Sequence, residues 1–249
     1  MPAPDRDLED LWNAGTPRGA PHSPDETAAL PEAARRYIQH SIAPGTLRAS
    51  AVRLSMKGTI KLRGWFPFEA EQVIRWGRGF VWRATTRVYG LPIRGADRWI
   101  DGEGSMRWKL LGLLPVVTGA GPDVSRSALG RFQIESIWLP SALLGGDGAW
   151  RERGADRFAV DVVMRGEHGE VEMTVDERGA LRSVSMPRWG DPDGRGFRAL
   201  PFGGVVEGER TFEGFTIPTR LRVGWHFGSD RFEPEGEFFR CEIERATFR

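Results

Sequence analysis

Among 249 residues there is one cysteine, Cys241, which excludes an internal disulfide and a cysteine-based structural zinc site. Its place near the C-terminus, on an expected terminal strand, suits a small buried apolar residue. Histidine is sparse too. His22, His40, His168 and His226 stand far apart, none with a second ligand at i+2 or i+4, so no metal site is expected. A formal net charge of +1 with 28% charged residues supplies no large same-sign field to draw the chain to nucleic acid or an anionic membrane. Long hydrophobic runs are also missing: the longest, Leu110-Leu111-Gly112-Leu113-Leu114-Pro115-Val116-Val117, falls far short of the roughly 20 residues that span a bilayer. Residues 1–26 place acidic side chains where a secretory signal carries positive charge, and they have no apolar h-region. That stretch reads as a disordered Pro/Gly-rich leader, and the expected location is cytoplasmic. The glycines of Gly102-Glu103-Gly104 and Gly119-Ala120-Gly121 form neither G-x-G-x-x-G nor a P-loop, and no serine sits in G-x-S-x-G. No cofactor is called for.

What is present is a pattern of strands. A helix is expected from Leu30-Pro31 to about Ile42, because Ala33, Ala34, Tyr37, Ile38 and Ile42 recur at intervals of three and four and Pro44-Gly45 stops them. From Ser50 to Leu62 the apolar Val52, Leu54, Met56 and Ile60 alternate approximately with Arg53, Ser55, Lys57 and Lys61, the period of a half-exposed strand. Further strands are expected at 78–89, 93–108, 157–165, 169–175, 180–187, 197–211, 216–225 and 235–248. Hairpin signals stand at Gly90-Leu91-Pro92, Glu167-His168-Gly169, Asp176 to Gly179 and Glu213-Gly214. A second helix interrupts them over 123–144, capped by Asp123 or Ser125 and ended by Gly145-Gly146. The expected fold class is α+β, mostly antiparallel β, a curled sheet with one or two packed helices. The even spread of tryptophan favours one β-rich domain over 27–249.

Three features bear on chemistry. Arg131, Glu135 and Trp138 fall at i, i+4 and i+7 of the second helix, which brings a charge pair to a largely apolar face. Such a pair is either a structural lock tying helix to sheet or the charged floor of an apolar pocket. Ten tryptophans are unusually many; Trp82 and Trp99 in particular either fill a thick core or line a concave surface suited to an oily ligand. Asp97, Asp101 and Glu103 are close enough in sequence to supply an acid and a base, or are solvated strand-edge charges. The apolar run after them is a lip over the cavity or a plain connection.

The order Trp65-Phe66-Pro67-Phe68, Gly79-Phe80-Val81-Trp82, Asp101-Gly102-Glu103-Gly104, then Arg131-Phe132 with Glu135, Trp138 and Pro140 resembles an uncharacterised bacterial domain-of-unknown-function family of tryptophan-rich proteins. The resemblance runs from about Leu30 to the C-terminus. Its layout is similar to the half-barrel of lipoprotein-carrier proteins, in which a curved sheet wraps helices around an apolar cavity. The resemblance implies a fold and no established activity. The leading expectation is a module that binds a hydrophobic or amphipathic small molecule, with Arg131 meeting an acidic head group and Trp82, Trp99 and Trp138 lining the pocket beside Glu135. The alternatives are an enzyme acting on such a ligand, with Glu135 or Asp101 as general base and Arg131 stabilising negative charge, and a protein interaction domain using the Leu110–Val117 lip.

Overall fold

Two helices precede the sheet. In the computed structural model, which describes residues 3–15, 18–145 and 148–249, α1 spans Ala3–Asn13 and α2 spans Glu32–Ser41. The segment expected as a disordered leader therefore carries a helix. Leu8 and Leu11, one turn apart, are 0% and 3% exposed against Val73 and Val81, and this contact orders a stretch with little helical preference of its own. Met1, Pro2, Thr16, Pro17, Gly146 and Asp147 lie outside the described residues. Helix α2 matches its expected span, with Pro31 one position earlier than foreseen, as the cap.

Thirteen strands among the described residues form one antiparallel sheet. The first six run outward from the centre: β1 (Ala51–Lys61), β2 (Trp65–Arg75), β3 (Gly79–Val88), β4 (Leu91–Ile100), β5 (Glu103–Leu110) and β6 (Leu114–Ala120). The chain then crosses by α3 (Pro122–Ile134), a 3-10 turn at Glu135–Trp138 and α4 (Pro140–Leu143) to the opposite edge. There it returns through β7 (Trp150–Gly154), β8 (Arg157–Met164), β9 (Glu167–Val175), β10 (Leu181–Gly190), β11 (Arg198–Phe212), β12 (Phe215–Trp225) and β13 (Glu237–Phe248), and β13 pairs with β1. The edges β6 and β7 stay apart, so the sheet curls without closing, and α3 touches β4, β5 and β6 on one flank and β8, β9 and β10 on the other. Period-two alternation turns Val52, Leu54, Met56, Ile74, Phe80 and Trp99 inward on to Phe132 of α3, while Phe158, Phe215 and Ile243 line the side that meets α2 and α4.

Local differences from the sequence reading have local causes. The stretch 93–108 is two strands, because Asp101 and Gly102 both take positive φ and reverse the chain. The hairpin expected at 167–169 is shifted to Arg165-Gly166, which holds the positive-φ pair, and Glu167 to Gly169 are paired strand. The Leu110–Val117 run closes β5, turns and forms the edge strand β6. The second helix breaks at Glu135 into a 3-10 turn, and its first residue is flanked by Gly121 as cap. Ser125 instead accepts the Gly104 amide on Oγ at 2.9 Å, and Asp123 accepts the Trp189 indole N–H at 2.8 Å. Among the described residues, no helix is long and apolar enough to cross a membrane.

Candidate functional site

Leu54, Gln72, Trp82, Asp97 and Met106 are successive register partners across β1 to β5, so their side chains share one inward row. Helix α3 lowers Arg131 on to it. The guanidinium donates from Nε to Glu135 Oε1 at 2.7 Å and from Nη1 to Asp97 Oδ2 at 3.1 Å, and lies 4.7 Å from the Phe80 ring and 5.1 Å from that of Trp82. Gln72 Nε2 donates to the other Glu135 oxygen at 2.5 Å, and Trp108 Nε1 donates to the other Asp97 oxygen at 2.9 Å. Trp108 reaches that far because its register partner is Gly95, where a Cβ would stand 2.4 Å from the indole. Burial works to lower Arg131, and the Glu135 and Asp97 charges and hydrogen bonds outweigh it, so the guanidinium is held above its ordinary value. One cation thus has two carboxylates, and every carboxylate oxygen already accepts a donor.

A second arginine faces the same space without that support. Val184, Met186 and Arg188 share the inward parity of β10, and Arg188 passes Gly130 of α3, where a Cβ would meet its Cγ at 3.0 Å. Its Nε donates to the Ser127 carbonyl at 3.1 Å, and its guanidinium lies 4.5 Å from the Phe202 ring and 5.2 Å from that of Trp225. Among the described residues no carboxylate stands within ion-pair distance. Burial first, and then the Arg131 charge, push Arg188 well below the ordinary guanidinium value.

Aromatic rings connect the two arginines. Trp108–Trp82, Trp82–Phe68, Phe68–Phe239 and Phe202–Trp225 have centroids 5.5, 5.8, 4.9 and 4.9 Å apart, and Phe238 joins Phe239 to Phe202 at 6.5 and 6.3 Å. Trp108, Phe238, Phe239 and Trp225 are partly exposed, which leaves this end of the inner face accessible, whereas α2 and α4 cover the other. Within the row, Trp82 Nε1 and Gln72 Oε1 are buried with no hydrogen-bond partner among the described residues. Cys241 is buried nearby; burial and then the Glu135 charge push its thiol up to about 12, which keeps it protonated and unreactive.

The structure brings Arg131, Glu135 and Trp82 together and adds Asp97, Gln72 and Arg188. Trp99 is 2% exposed and stacked on Phe132 at 5.3 Å, inside the core. Trp138 leaves the Arg131–Glu135 face where the helix breaks, and its Nε1 donates to the Pro218 carbonyl at 3.1 Å. Asp101 sits in the exposed β4–β5 turn, paired with Arg78 at 2.8 Å and Arg165 at 3.8 Å, apart from the inner network. Two open grooves of about 850 and 1230 Å³ run along the outer face and are lined chiefly by charged side chains of the sheet.

Curated proteins offer no sequence match to this chain. Among solved structures, the LolA superfamily protein NE2245 from Nitrosomonas europaea is similar, with TM-score 0.46 and 11% identity over 87% of this chain and 92% of that one. A putative outer membrane lipoprotein-sorting protein domain from Vibrio parahaemolyticus is similar with TM-score 0.43 and 9% identity, over 80% and 86% of the two chains. A family model matches residues 28–248, which include the whole described sheet, and the chain belongs to that family, a family of unknown function (DUF6920).

Proposed function

We propose that the accessible end of the inner face binds an amphipathic small molecule with an anionic head group. The observation that carries this reading is Arg188: a largely enclosed guanidinium, laid against Phe202 and Trp225, with no carboxylate beside it among the described residues. An anionic head would supply the missing counter-charge. The rings of Trp108, Phe239, Phe238 and Trp225 supply the apolar wall for the body of the molecule. Arg131, expected from the sequence to meet the head group, is already balanced by Asp97 and Glu135 and serves as the floor.

Displacement of the neutral dye N-phenyl-1-naphthylamine by dodecanoic acid and by dodecanol tests this. The acid is expected to compete roughly tenfold better than the alcohol, the effect of one charge-assisted hydrogen bond. Arg188→Met is expected to keep dye uptake and erase that preference. Absence of dye uptake, or an unchanged preference in the variant, would overturn the proposal.

A further inference from the structure

The turns joining β1 to β2, β3 to β4 and β5 to β6 all lie at one end of the sheet, as antiparallel order requires. Leu111 donates its amide to the Pro92 carbonyl at 2.9 Å, and Phe66 meets Tyr89 edge-on at 5.4 Å, so the three turns form one continuous rim. Its outermost side chains are apolar and in water: Leu62, Tyr89, Leu91, Leu111, Leu113 and Leu114, with Tyr89 83% and Leu113 78% exposed.

The backbone makes this choice of residues significant. Tyr89 and Leu111 have φ of 51° and 53°, each followed by a positive-φ glycine, a turn position that favours Asn, Asp or Gly. The comparable positions in other turns of this sheet hold the polar residues Asp101, Arg165 and Glu213. Tyr89 and Leu111 thus sit in a backbone state that suits neither of them and still remain largely exposed.

Charge surrounds these tips. Lys61, Arg63, Arg87, Arg94 and Lys109 flank the three turns, and Arg94 and Lys109 are direct cross-strand partners, an arrangement that is unfavourable without an anion near it. From Ala51 to Pro122 the sequence has twelve lysines and arginines against five carboxylates. The near-neutral total of +1 conceals this basic stretch. Exposed leucines, the ring-bearing Trp65 and Tyr89 and a collar of cations are the components of a surface that seats in lipid headgroups.

We infer that this rim docks the protein on an anionic phospholipid bilayer, the leucines entering the headgroup boundary while the cations meet lipid phosphates. The docking residues include neither Arg188 nor the rings beside it, and the inference does not rest on that site.

Flotation of the full chain with vesicles of phosphatidylcholine alone, or mixed with phosphatidylglycerol, tests the inference. The protein is expected to float with the mixed vesicles and not with the neutral ones. Leu111→Asn combined with Leu113→Ser is expected to reduce the bound fraction about tenfold or more, since two leucines leave the lipid. Asparagine suits the left-handed turn, so the thermal midpoint of this variant is expected to hold or rise. Arg87→Glu with Lys109→Glu is expected to abolish the preference for mixed vesicles, and Arg188→Met to leave flotation unchanged. Flotation with neither vesicle, or equal flotation of the wild-type and leucine-depleted chains, would overturn the inference. So would dimerisation in sedimentation velocity that the leucine substitutions abolish when no vesicle binding is seen, because the rim would then belong to a second copy.

Discussion

Arg131 and Arg188 approach the same inner surface, but only Arg131 meets counter-ions there. Removing each therefore has a different expected outcome. Arg131→Met leaves Asp97 and Glu135 enclosed without their cation and is expected to cost about 3–5 kcal/mol in urea unfolding, the loss seen when one partner of a buried pair is removed. Arg188→Met removes a charge that has no direct ion pair among the described residues and is expected to leave stability unchanged or raise it by up to about 2 kcal/mol. Equal losses in the two variants would show that Arg188 is held by the network after all. The pairing of Arg131 with Glu135 was legible in the sequence because helical spacing is local. Arg188 was not: it becomes significant only once Val184 and Met186 fix which parity of β10 faces inward, and Asp97 joins Arg131 from 34 residues away.

Helix α1 shows how an element escapes a reading by composition. Its acidic, proline-containing sequence resembles a solvated leader, and the stripe formed by Leu8, Leu11 and Trp12 is short. Its attachment is tertiary: Arg75 donates to the Leu11 and Trp12 carbonyls at 2.7 Å each, and Arg53 donates to Glu9 at 2.7 Å. Leu8→Ala is expected to cost about 2–3 kcal/mol of this docking. Hydrogen exchange should show the loss as faster exchange in α1 with the amides of β1 and β13 unchanged. Exchange that speeds up equally across the sheet would mean that α1 is integral to the global unfolding unit. The strands of the second half from β8 onward were legible because their hairpins carry their own turn residues, whereas the short edge strand β7 was not foreseen. The break of the second helix at Glu135 was not, since Gln72, which holds that carboxylate, belongs to a distant strand.

At the scale of the molecule, two runs of hairpins meet along a single seam, with Val52 opposite Phe248 and Thr59 opposite Arg240. The sequence showed the meanders and gave no sign of where they join, because nothing local marks β1 and β13 as partners. Their fit is close: a Cβ at Gly58 would stand 1.9 Å from the Arg240 carbonyl oxygen. A chain ending before Glu237 is expected to lack a cooperative thermal transition, since both flanks lose their common strand; a retained sharp transition would show that the flanks fold independently. During synthesis β13 emerges after the other twelve strands, so β1 waits with one open edge while they are made. Through that interval it is available to any other unpaired strand in the cell. The seam is thus the last pairing of the sheet that can form, and a factor that shields the free edge of β1 until then would keep it from the wrong partner.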